Sequence, residues 1–474
     1  MTRVLIISGA RIDTTLAGPS IRAIEMARYL APHCQVTLAA PHQVVAAVRN
    51  VAFAPFQESD QAAVRHLAEQ ADIVVVQGWT LRLYPCIEAS RKILVVDLYD
   101  PFHLERLETF SRPEVGDAVE AARSDIEIVN EQLEAGDFFI CASERQRDFW
   151  LGALGSLGRL APETYRQDPT FRTLVDVVPF GLAPEPPTHN HAVIKGVVPG
   201  IEASDRVVLW GGGLWDWLDP LTVIRAMQVV SRERPAVKLF FLGHHHPDPG
   251  AIPNIMYGQA IALATELGLR DSHVFFNDRW VPYDERGAYL LEADIGVSSH
   301  GGHIETRFAF RTRLLDYIWA GLPMVVTAGD TLADMVGERG LGYVTPVGDS
   351  LLFAQAIMAL ADQPDARTHY APAFHAAQHD FAWPRALRPL IAFCRQPHYA
   401  ADKQSRPEGG HAEAAAEPEP QALEHIAELE KLVAAKNNHI VRLETLIKRI
   451  EDGRMLRILR LLNRILSHPR IRHE

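Results

Sequence analysis

The sequence predicts an α/β fold made of two doubly wound domains, each with a parallel sheet between layers of helices. Two series of short apolar, β-branched segments follow each other along the chain, and a helical pattern follows each segment. The segments are apolar throughout rather than alternating, as strands are when helices cover both faces of a parallel sheet. A proline-rich stretch at 184–187 separates the two series. It places a boundary near 182–195 and predicts domains at 1–185 and 186–400.

Each series predicts six strands. Those of the first are VLIIS (4–8), QVTLAA (35–40), IVVVQG (73–78), ILVVDLY (93–99), FFICAS (138–143) and VDVVPFG (175–181). Those of the second are RVVLWGGG (206–213), KLFFLGH (238–244), HVFFND (273–278), IGVSSH (295–300), MVVTAG (324–329) and GYVTPVG (342–348). Sheets of this kind bind ligands at the carboxyl ends of their strands, so we expect the site in the cleft between the two domains.

The composition is that of a globular protein. Apolar residues make up 47% of the 474 residues, charged residues make up 22%, and the net charge is −12, which argues against a nucleic-acid partner. The four scattered cysteines predict buried thiols in a reducing compartment: Cys34, Cys86, Cys141 and Cys394. No apolar run has spanning length, and VLIIS is too short for a signal-peptide core, so the sequence predicts a cytoplasmic protein.

The segment from Ser298 to Asp330 carries the strongest chemical signal. It predicts a strand end, a glycine-rich turn and a helix that begins near Arg311. Such a turn exposes backbone N–H groups and the positive end of the helix dipole, which together bind a phosphate. Three arginines lie beside that end, Arg307, Arg311 and Arg313, and guanidinium groups suit phosphate oxygens. Asp316 follows and is placed to accept hydrogen bonds from a ribose diol; surface ion pairs and a solvated carboxylate are the alternative.

The stretch LLDYIWAGLPMVV (314–326) resembles the donor-site helix of retaining glycosyltransferases of family four, the group 1 glycosyl transferases. The resemblance implies a GT-B fold, in which two Rossmann-like domains face a cleft. It also implies that Asp316 holds the nucleotide ribose and that Arg311 and Arg313 face the diphosphate. The family usually carries a Glu eight residues before that carboxylate, near the transferred sugar. Phe308 stands there in this chain, and Glu305 is the nearest residue that can take its place.

The stretch LWGGGLWDWLDPLTVIRAM (209–227) is similar to the strand, loop and helix that open the second domain of the family. Gly212 and Gly213 allow the backbone to approach a phosphate. The family often has an Arg and a Lys in this loop, and neither is present here, so we expect Arg279 to take part in anion binding. Three further residues either contact the sugar or cap the following helix: Trp215, Asp216 and Asp219.

The resemblance extends over about residues 1–396 and assigns roles in the first domain. Residues 9–31 look like the family's opening loop, with Gly18 before a helix that faces the cleft. Arg22 then lies near the donor phosphates or an anionic acceptor, and a helix-surface ion pair is the alternative. The last helix, near 380–396, is expected to pack back on the first domain.

Candidates for the acceptor side follow the strand at 93–99. Asp100 or His103 is placed to orient the acceptor hydroxyl, and a strand-end turn with satisfied polar groups is the alternative. In a retaining transfer the leaving phosphate can itself act as the base. Consecutive histidines at 244–246 rarely chelate one ion, and a GT-B enzyme uses helix dipoles and arginines instead of a divalent cation. We therefore expect no metal and no cofactor besides the nucleotide-diphosphate sugar that is the substrate.

The composition changes after residue 400. Residues 401–420 predict a disordered linker, and 421–452 carry a heptad seam, interrupted at Lys436, that predicts a coiled coil and self-association. Residues 454–472 predict a basic amphipathic helix, since the segment from Lys448 to Glu474 contains eight Lys or Arg and only three acidic residues. Such a helix binds an anionic membrane surface. Continuation of the coiled coil, or packing on the catalytic body, is the alternative.

Together these features predict a metal-independent glycosyltransferase at the inner face of the plasma membrane. It moves a sugar, with retention, from a nucleotide-diphosphate sugar to a glycan or lipid-linked acceptor in cell-surface polysaccharide assembly. The alternatives are a catalytically inactive, nucleotide-sugar-binding scaffold of an assembly complex and a GT-B phosphorylase or epimerase.

Overall fold

The chain forms two parallel sheets, one in each half. The computed structural model describes residues 1–12, 16–42, 48–112, 117–243, 255–277 and 281–404. Every pair of neighbouring strands in these ranges is parallel. Alternate residues of the first strand enter two different apolar clusters, Val4 and Ile6 in one and Leu5 and Ile7 in the other. Both faces of that sheet are therefore buried, and the predicted α/β class with two Rossmann-like domains is confirmed.

The first domain contains a sheet of strand order β3-β2-β1-β4-β5-β6-β7. Its strands are β1 (Arg3–Ile7), β2 (Gln35–Pro41), β3 (Val51–Phe56), β4 (Ile73–Gln77), β5 (Ile93–Asp97), β6 (Phe138–Cys141) and β7 (Val175–Val177). Its helices are α1 (Gly18–Leu30), α2 (Gln61–Gln70), α3 (Thr80–Leu83), α4 (Cys86–Ala89), α5 (Phe102–Phe110), α6 (Ala118–Ala135), α7 (Glu144–Ser156) and α8 (Pro162–Gln167).

The second domain contains a sheet of strand order β10-β9-β8-β11-β12-β13. Its strands are β8 (Arg206–Trp210), β9 (Val237–Phe241), β10 (Val274–Phe276), β11 (Ile295–Ser298), β12 (Met324–Thr327) and β13 (Gly342–Thr345). The helices of this half are α9 (Pro220–Glu233), α10 (Met256–Glu266), α11 (Arg286–Glu292), α12 (Ile304–Phe308), α13 (Thr312–Trp319), α14 (Thr331–Arg339), α15 (Ser350–Ala361), α16 (Ala366–Phe381), α17 (Trp383–Ala386), α18 (Arg388–Arg395) and α19 (Ala401–Gln404).

The strand β3 is absent from the sequence prediction, and its position in the sheet explains why. It pairs only with β2 and forms an edge of the first sheet. Its sequence, VAFAPF, contains two alanines and Pro55, and most of it is only partly buried. Proline cannot donate a ladder hydrogen bond and is tolerated in a strand chiefly at an edge. An edge strand with small side chains therefore lacks the continuous apolar pattern of the inner strands.

The end of the second half returns to the first domain. The backbone N–H of Leu182 donates to the carbonyl of Phe381 at 2.8 Å, just after the first sheet ends. Farther along, the ring of Phe393 in α18 stacks on that of Phe138 in β6, with centroids 4.4 Å apart and planes at 10°. The helix α18 thus lies against the sheet of the first domain.

The linker prediction is wrong at its beginning, because residues 401–404 form α19. The carboxylate of Asp402 accepts a hydrogen bond from Nε of Arg159 at 2.5 Å, and both side chains are buried. Lys403 forms an ion pair with Asp137 at 3.1 Å. The chain is therefore fixed to the first domain up to Gln404. The rest of the predicted linker, the coiled coil at 421–452 and the basic helix at 454–472 lie outside the described residues, as do Arg279 and the histidines at 244–246.

Candidate functional site

A cleft of about 420 Å³ opens between the two domains. Residues of the first domain that line it follow β1, β5 and β7: 16–19, Ile21, 99–101, Glu105 and 180–182. Residues of the second domain that line it lie mainly after β8 and β9 and around α11 and α13: 211–213, Trp215, Trp217, Leu218, Leu242, Gly243, Val281, Tyr283, Arg286, Leu290, 310–313, Leu315 and Asp316. The cleft thus lies at the carboxyl ends of strands from both sheets, where doubly wound folds bind ligands.

The glycine loop after β8 is held close to the neighbouring strands. The backbone N–H of Gly211 donates to the Tyr317 hydroxyl at 2.7 Å, and that hydroxyl lies 3.0 Å and 2.9 Å from the carbonyls of Leu209 and Val297. A Cβ atom on Gly243 would lie 2.0 Å from the Gly212 carbonyl oxygen, so only glycine fits there. Gly212 itself has a φ of +82°. The loop therefore presents bare backbone to the cleft.

Arg313 connects this loop to the helix α13. One guanidinium nitrogen donates to the Gly213 carbonyl at 2.9 Å, and the guanidinium lies 4.5 Å from the Trp210 ring centre. Burial lowers the pKa of Arg313 to about 10, so the side chain stays charged at neutral pH. Its Nη1 atom is buried without a hydrogen-bond partner. A partly buried cation with one unused donor, beside the positive end of α13, favours an anion in the cleft.

Arg311 lies at the start of α13 and is paired with Glu305. Its Nη2 atom donates to Oε2 of Glu305 at 2.5 Å, and the two residues are 7% and 1% exposed. Glu305 lies behind Arg311 and does not line the cleft. This position disagrees with the expectation that Glu305 contacts the sugar. The position at which the family usually has a Glu is occupied by Phe308, whose ring packs on that of Phe149 in α7 at 4.7 Å.

Within the described chain, half of the buried side-chain polar atoms that have no hydrogen-bond partner lie in the segment from β11 to α13. In this segment they are Ser298 Oγ, His300 Nε2, His303 Nδ1, Glu305 Oε1, Arg311 Nε and Arg313 Nη1. Two of them lie near a carboxylate, His300 Nε2 at 3.4 Å from Asp330 and His303 Nδ1 at 3.5 Å from Glu305. Folded proteins pair the great majority of their buried polar groups. Such a concentration is therefore typical of a site that binds a polar ligand.

Asp316 lines the cleft one turn into α13 and is oriented by a residue that the sequence analysis missed. Nε of Arg286 donates to its Oδ1 at 3.1 Å. The Arg286 guanidinium lies between two rings, 3.5 Å from the centre of Tyr283 and 4.4 Å from that of Trp319. The aromatic neighbours and the hydrogen bond together fix the arginine, which in turn holds the Asp316 carboxylate at the cleft wall.

Two carboxyl groups, Asp100 and Glu105, line the wall of the first domain. Burial, with Glu305 and Asp97 nearby, raises the pKa of Asp100 to about 7. Burial, with the charges of Asp100 and Glu305, also raises the pKa of Glu105 well above its ordinary value. Glu105 was not predicted from the sequence, whereas Asp100 was.

His103 does not reach the cleft, in contrast to its prediction as an acceptor-side residue. Its ring stacks on that of Phe149 at 5.8 Å and lies 5.7 Å from that of Trp150. Burial lowers its pKa to about 4, so the ring is neutral at physiological pH. An imidazole surrounded by rings in this way contributes to packing and does not contact a ligand in the cleft.

The environment of Arg22 differs from the prediction that its side chain lies near the donor phosphates or an anionic acceptor. It is fully buried and forms a bidentate pair with Asp97 at 2.6 and 2.9 Å. Its remaining bonds go to the carbonyls of Val178 and Pro179. Every nitrogen of the guanidinium thus has a partner inside the first domain, and the predicted contact with donor phosphates disagrees with this geometry. A helix-surface ion pair, the alternative, is also wrong because the pair is buried.

The remaining predicted residues divide between the cleft and its surroundings. Gly18, at the start of α1, lines the cleft, whereas Arg307 is exposed and does not. Asp219 caps α9 by accepting from the N–H of Thr222 at 3.0 Å. Asp216 forms an ion pair across the two domains with Arg112 at 2.9 Å. Of the three residues given a sugar-contact or capping role, only Trp215 lines the cleft, where its ring is stacked with that of Trp217.

The described residues contain no group of three or more His, Cys, Asp or Glu side chains arranged as metal ligands. The four cysteines are buried and free. Among the helices of the described ranges, none is long and apolar enough to cross a membrane.

Residues 205–363 match the model of the family described as Glycosyl transferases group 1. No curated protein matches the sequence. Among solved structures, sucrose-phosphate synthase from Thermosynechococcus elongatus has 15% identity and a TM-score of 0.59, over 84% of this chain and 99% of that chain. HepE from Anabaena, in complex with UDP and glucose, has 13% identity and a TM-score of 0.57, over 83% and 98%.

The α,α-trehalose-phosphate synthase (UDP-forming) from Burkholderia vietnamiensis has 11% identity and a TM-score of 0.57, over 83% of this chain and 99% of that chain. Identities this low show a shared fold. The second domain thus matches the group 1 glycosyl transferases, and the described chain has the two-domain GT-B fold of these solved structures.

Proposed function

We propose that the protein is a glycosyltransferase that takes its sugar from a nucleoside diphosphate sugar bound in the interdomain cleft. One observation carries the proposal. A single wall of the cleft combines the glycine loop at 211–213, the beginning of α13 and the carboxylate of Asp316. These are the groups that a diphosphate followed by a ribose requires: backbone N–H groups and a helix N-terminus for the anion, and a carboxylate for the hydroxyls.

The diphosphate binds beside Arg311 and Arg313. Each of these arginines has a buried donor without a protein partner, Nε of Arg311 and Nη1 of Arg313. A charge-assisted hydrogen bond from such a donor is worth about 1.5–3 kcal/mol. The ribose binds at Asp316, whose side chain is 37% exposed and thus accessible from the cleft. The acceptor enters from the first domain, where Asp100 and Glu105 form the opposite wall.

The donor nucleotide is a uridine diphosphate. Support comes from structures of similar fold, since HepE from Anabaena is in complex with UDP and the synthase from Burkholderia vietnamiensis is UDP-forming. A thermal-shift series over UDP, ADP, GDP, CDP and dTDP tests this assignment, because a ligand that binds only the folded state raises the melting temperature. We expect UDP to give the largest increase. If no nucleoside diphosphate raised it at millimolar concentration, the proposal would fail.

Catalytic turnover is tested by a second measurement, which compares the release of UDP from UDP-sugars with and without candidate glycan acceptors. UDP release that depends on an acceptor supports a transferase. UDP binding without any release supports the inactive scaffold, which remains the second candidate because Glu305 lies outside the cleft and Phe308 occupies the family's usual Glu position. A requirement for inorganic phosphate would instead indicate a phosphorylase.

The same proposal includes three finer properties. Transfer proceeds with retention, which the anomeric signal of the product in NMR tests. Turnover needs no divalent cation, because arginines and a helix N-terminus neutralise the diphosphate; activity restored only by Mg²⁺ or Mn²⁺ after EDTA would contradict this. The acceptor belongs to cell-surface polysaccharide assembly, which profiling of the surface glycans of a deletion strain tests.

The tail supplies self-association through 421–452 and contact with anionic membranes through 454–472. A variant that ends at Gln404 keeps α19 in place and removes both segments. We expect it to be monomeric in light scattering, to bind UDP like the full chain, and to lose flotation with phosphatidylserine-containing vesicles at low salt. Retained flotation would place the membrane contact elsewhere.

A further inference from the structure

Two tryptophans of the second domain, Trp215 and Trp217, line the cleft beside the glycine loop and form a stacked pair. Their ring centres are 5.4 Å apart and their planes differ by only 3°. Both residues are only partly buried, so the tryptophan pair is accessible from the cleft. Aromatic side chains that line a cleft in this way are typical of sites that bind a small organic ligand.

The tryptophan pair adjoins the loop that we assign to the diphosphate. A Cβ atom on Gly213 would lie 2.9 Å from Nε1 and from Cε2 of Trp215, so the indole lies directly against the Gly213 backbone. The carbonyl of Gly213 also accepts from Nη2 of Arg313 at 2.9 Å. Nη1 of that arginine is the buried donor that we assign to the diphosphate. A group bonded to the diphosphate therefore lies close to the tryptophan pair.

Asp216, between the two tryptophans, reaches the first domain. Its Oδ2 atom lies 2.9 Å from Nη2 of Arg112 and accepts from the hydroxyl of Thr109 in α5 at 3.3 Å. Its Oδ1 atom accepts from the backbone N–H groups of Ile255 and Met256, at the start of α10, at 3.1 and 3.3 Å. The tryptophan pair therefore flanks a point at which the second domain contacts the first.

The same segment is fixed to the end of β11. Nε2 of His303 donates to the carbonyl of Trp217 at 3.1 Å, and the backbone N–H of Asp219 donates to the carbonyl of Ser299 at 3.0 Å. These bonds set the position of the tryptophan pair before any ligand binds. An aromatic surface that is already ordered binds a ligand without the entropy loss of immobilising its side chains.

The order of the parts of the donor indicates which part meets the tryptophan pair. With the ribose at Asp316 and the diphosphate beside Arg313 and the glycine loop, the transferred sugar lies between the diphosphate and the acceptor. The tryptophan pair has this position, next to Gly213 and beside the contact with the first domain. A pyranose ring presents C–H groups on its faces, and their partial positive charge matches the negative face of an indole.

We propose that the tryptophan pair binds the pyranose ring of the transferred sugar through stacking contacts. This inference rests on the proposed glycosyltransferase function and names the side chains that hold its sugar. The pair supplies a sugar contact that Glu305, outside the cleft lining, does not make.

Calorimetry with UDP and with a UDP-sugar tests the inference without any measurement of activity. The UDP-sugar is the one that the wild type binds most tightly among UDP-glucose, UDP-galactose and UDP-N-acetylglucosamine. Trp217→Leu keeps an apolar side chain but removes the ring, and it should weaken UDP-sugar binding about 10-fold while UDP binding stays unchanged. Trp217→Phe keeps a ring and should retain most of the affinity. Trp79→Leu, at an exposed tryptophan outside the cleft lining, is the matched control and should bind both ligands normally.

Three results would overturn the inference. Equal weakening of UDP and UDP-sugar binding in Trp217→Leu would assign the ring to the nucleotide or to the shape of the loop. Affinity in Trp217→Phe no better than in Trp217→Leu would assign it to packing alone. Unchanged UDP-sugar binding with a raised KM for the acceptor would assign it to an acceptor sugar. A wild type that bound no UDP would instead overturn the proposed function.

The contacts of Asp216 give a second test. Asp216→Asn keeps the shape of the side chain but removes the charge that pairs with Arg112. Because the tryptophan pair then loses part of its support, UDP-sugar binding should weaken while UDP binding stays unchanged. An equal loss of UDP binding would show that this residue supports the glycine loop, and would contradict its role in positioning the tryptophan pair.

Discussion

Nε of Arg286 donates a hydrogen bond to Oδ1 of Asp316 over 3.1 Å, although 30 residues separate them in sequence. The pair sits at the cleft wall beside the glycine loop, with the guanidinium between the rings of Tyr283 and Trp319. Asp316 is thus held towards the cleft before any ligand binds. A carboxylate that is already oriented binds a diol without the entropy loss of ordering its side chain.

Asp316→Asn should weaken UDP binding about 10- to 100-fold, which corresponds to the loss of about 1.5–3 kcal/mol from a charged hydrogen bond. Arg286→Ala should weaken it in the same direction, because the carboxylate loses its orientation. Calorimetry with UDP measures both effects. Glu338→Gln, an exposed acid of α14, is the control and should bind UDP normally. Wild-type affinity in Asp316→Asn would remove this residue from the ribose site.

Removal of either member of the buried pair Arg311–Glu305 should destabilise the fold. Arg311→Met leaves a buried carboxylate without its partner, which costs about 3–5 kcal/mol, whereas Arg311→Met combined with Glu305→Gln should recover most of this loss. Urea unfolding of the single and double variants measures the coupling. Additive losses would show that the two side chains do not stabilise each other. Replacement of Arg311 alone is therefore an ambiguous test of diphosphate binding.

Acid should destabilise the protein partly through His103. The folded pKa of His103, about 4, lies below the unfolded value of about 6.5. Its stabilising effect is therefore present above pH 6.5 and is lost as pH falls towards 4, by up to about 1.4 kcal/mol per pH unit. His103→Phe keeps the aromatic contacts and removes the titration. Unfolding free energies of the two proteins should diverge between pH 7 and 4, with the wild type losing more. Parallel curves would mean that the ring already protonates in the folded state.

The boundary of the folded two-domain body should lie after α19. A protein that ends at Gln404 should be as stable as the full chain in urea. One that ends at Ala400 lacks Asp402 and leaves Arg159, which is fully buried, without its carboxylate. The expected loss is about 3–5 kcal/mol. Equal stability of the two truncated proteins would show that the carbonyl partners of Arg159 suffice.

The two-domain α/β fold was predictable because a strand that is buried on both faces of a parallel sheet consists almost entirely of apolar residues. All twelve predicted segments contain an observed strand, and the edge strand β3 escaped because small side chains and Pro55 suffice there. The order in which the strands pair, and the register of each pair, could not be predicted, because no local sequence pattern specifies the topology of a sheet.

Part of the candidate site was also predictable, because backbone geometry at a strand end and at a helix N-terminus depends on neighbouring residues. The glycines after β8, the start of α13 and Asp316 all line the cleft. Arg286 and Glu105 were not predicted. Their roles depend on partners brought together by folding, and an isolated Arg or Glu on a helix carries no local signal.

By itself, the sequence determined two Rossmann-like domains and a helix that begins near Arg311 at the cleft, because both arise from patterns within a few adjacent residues. Only the tertiary structure decided which charged side chains reach the cleft. It buried Arg22 against Asp97 and Glu305 against Arg311, and it placed Asp100 and Glu105 at the cleft wall without an ion pair to any described residue. The physical reason is that the state of a charge depends on its burial and on partners distant in sequence, which folding alone brings within a few ångströms.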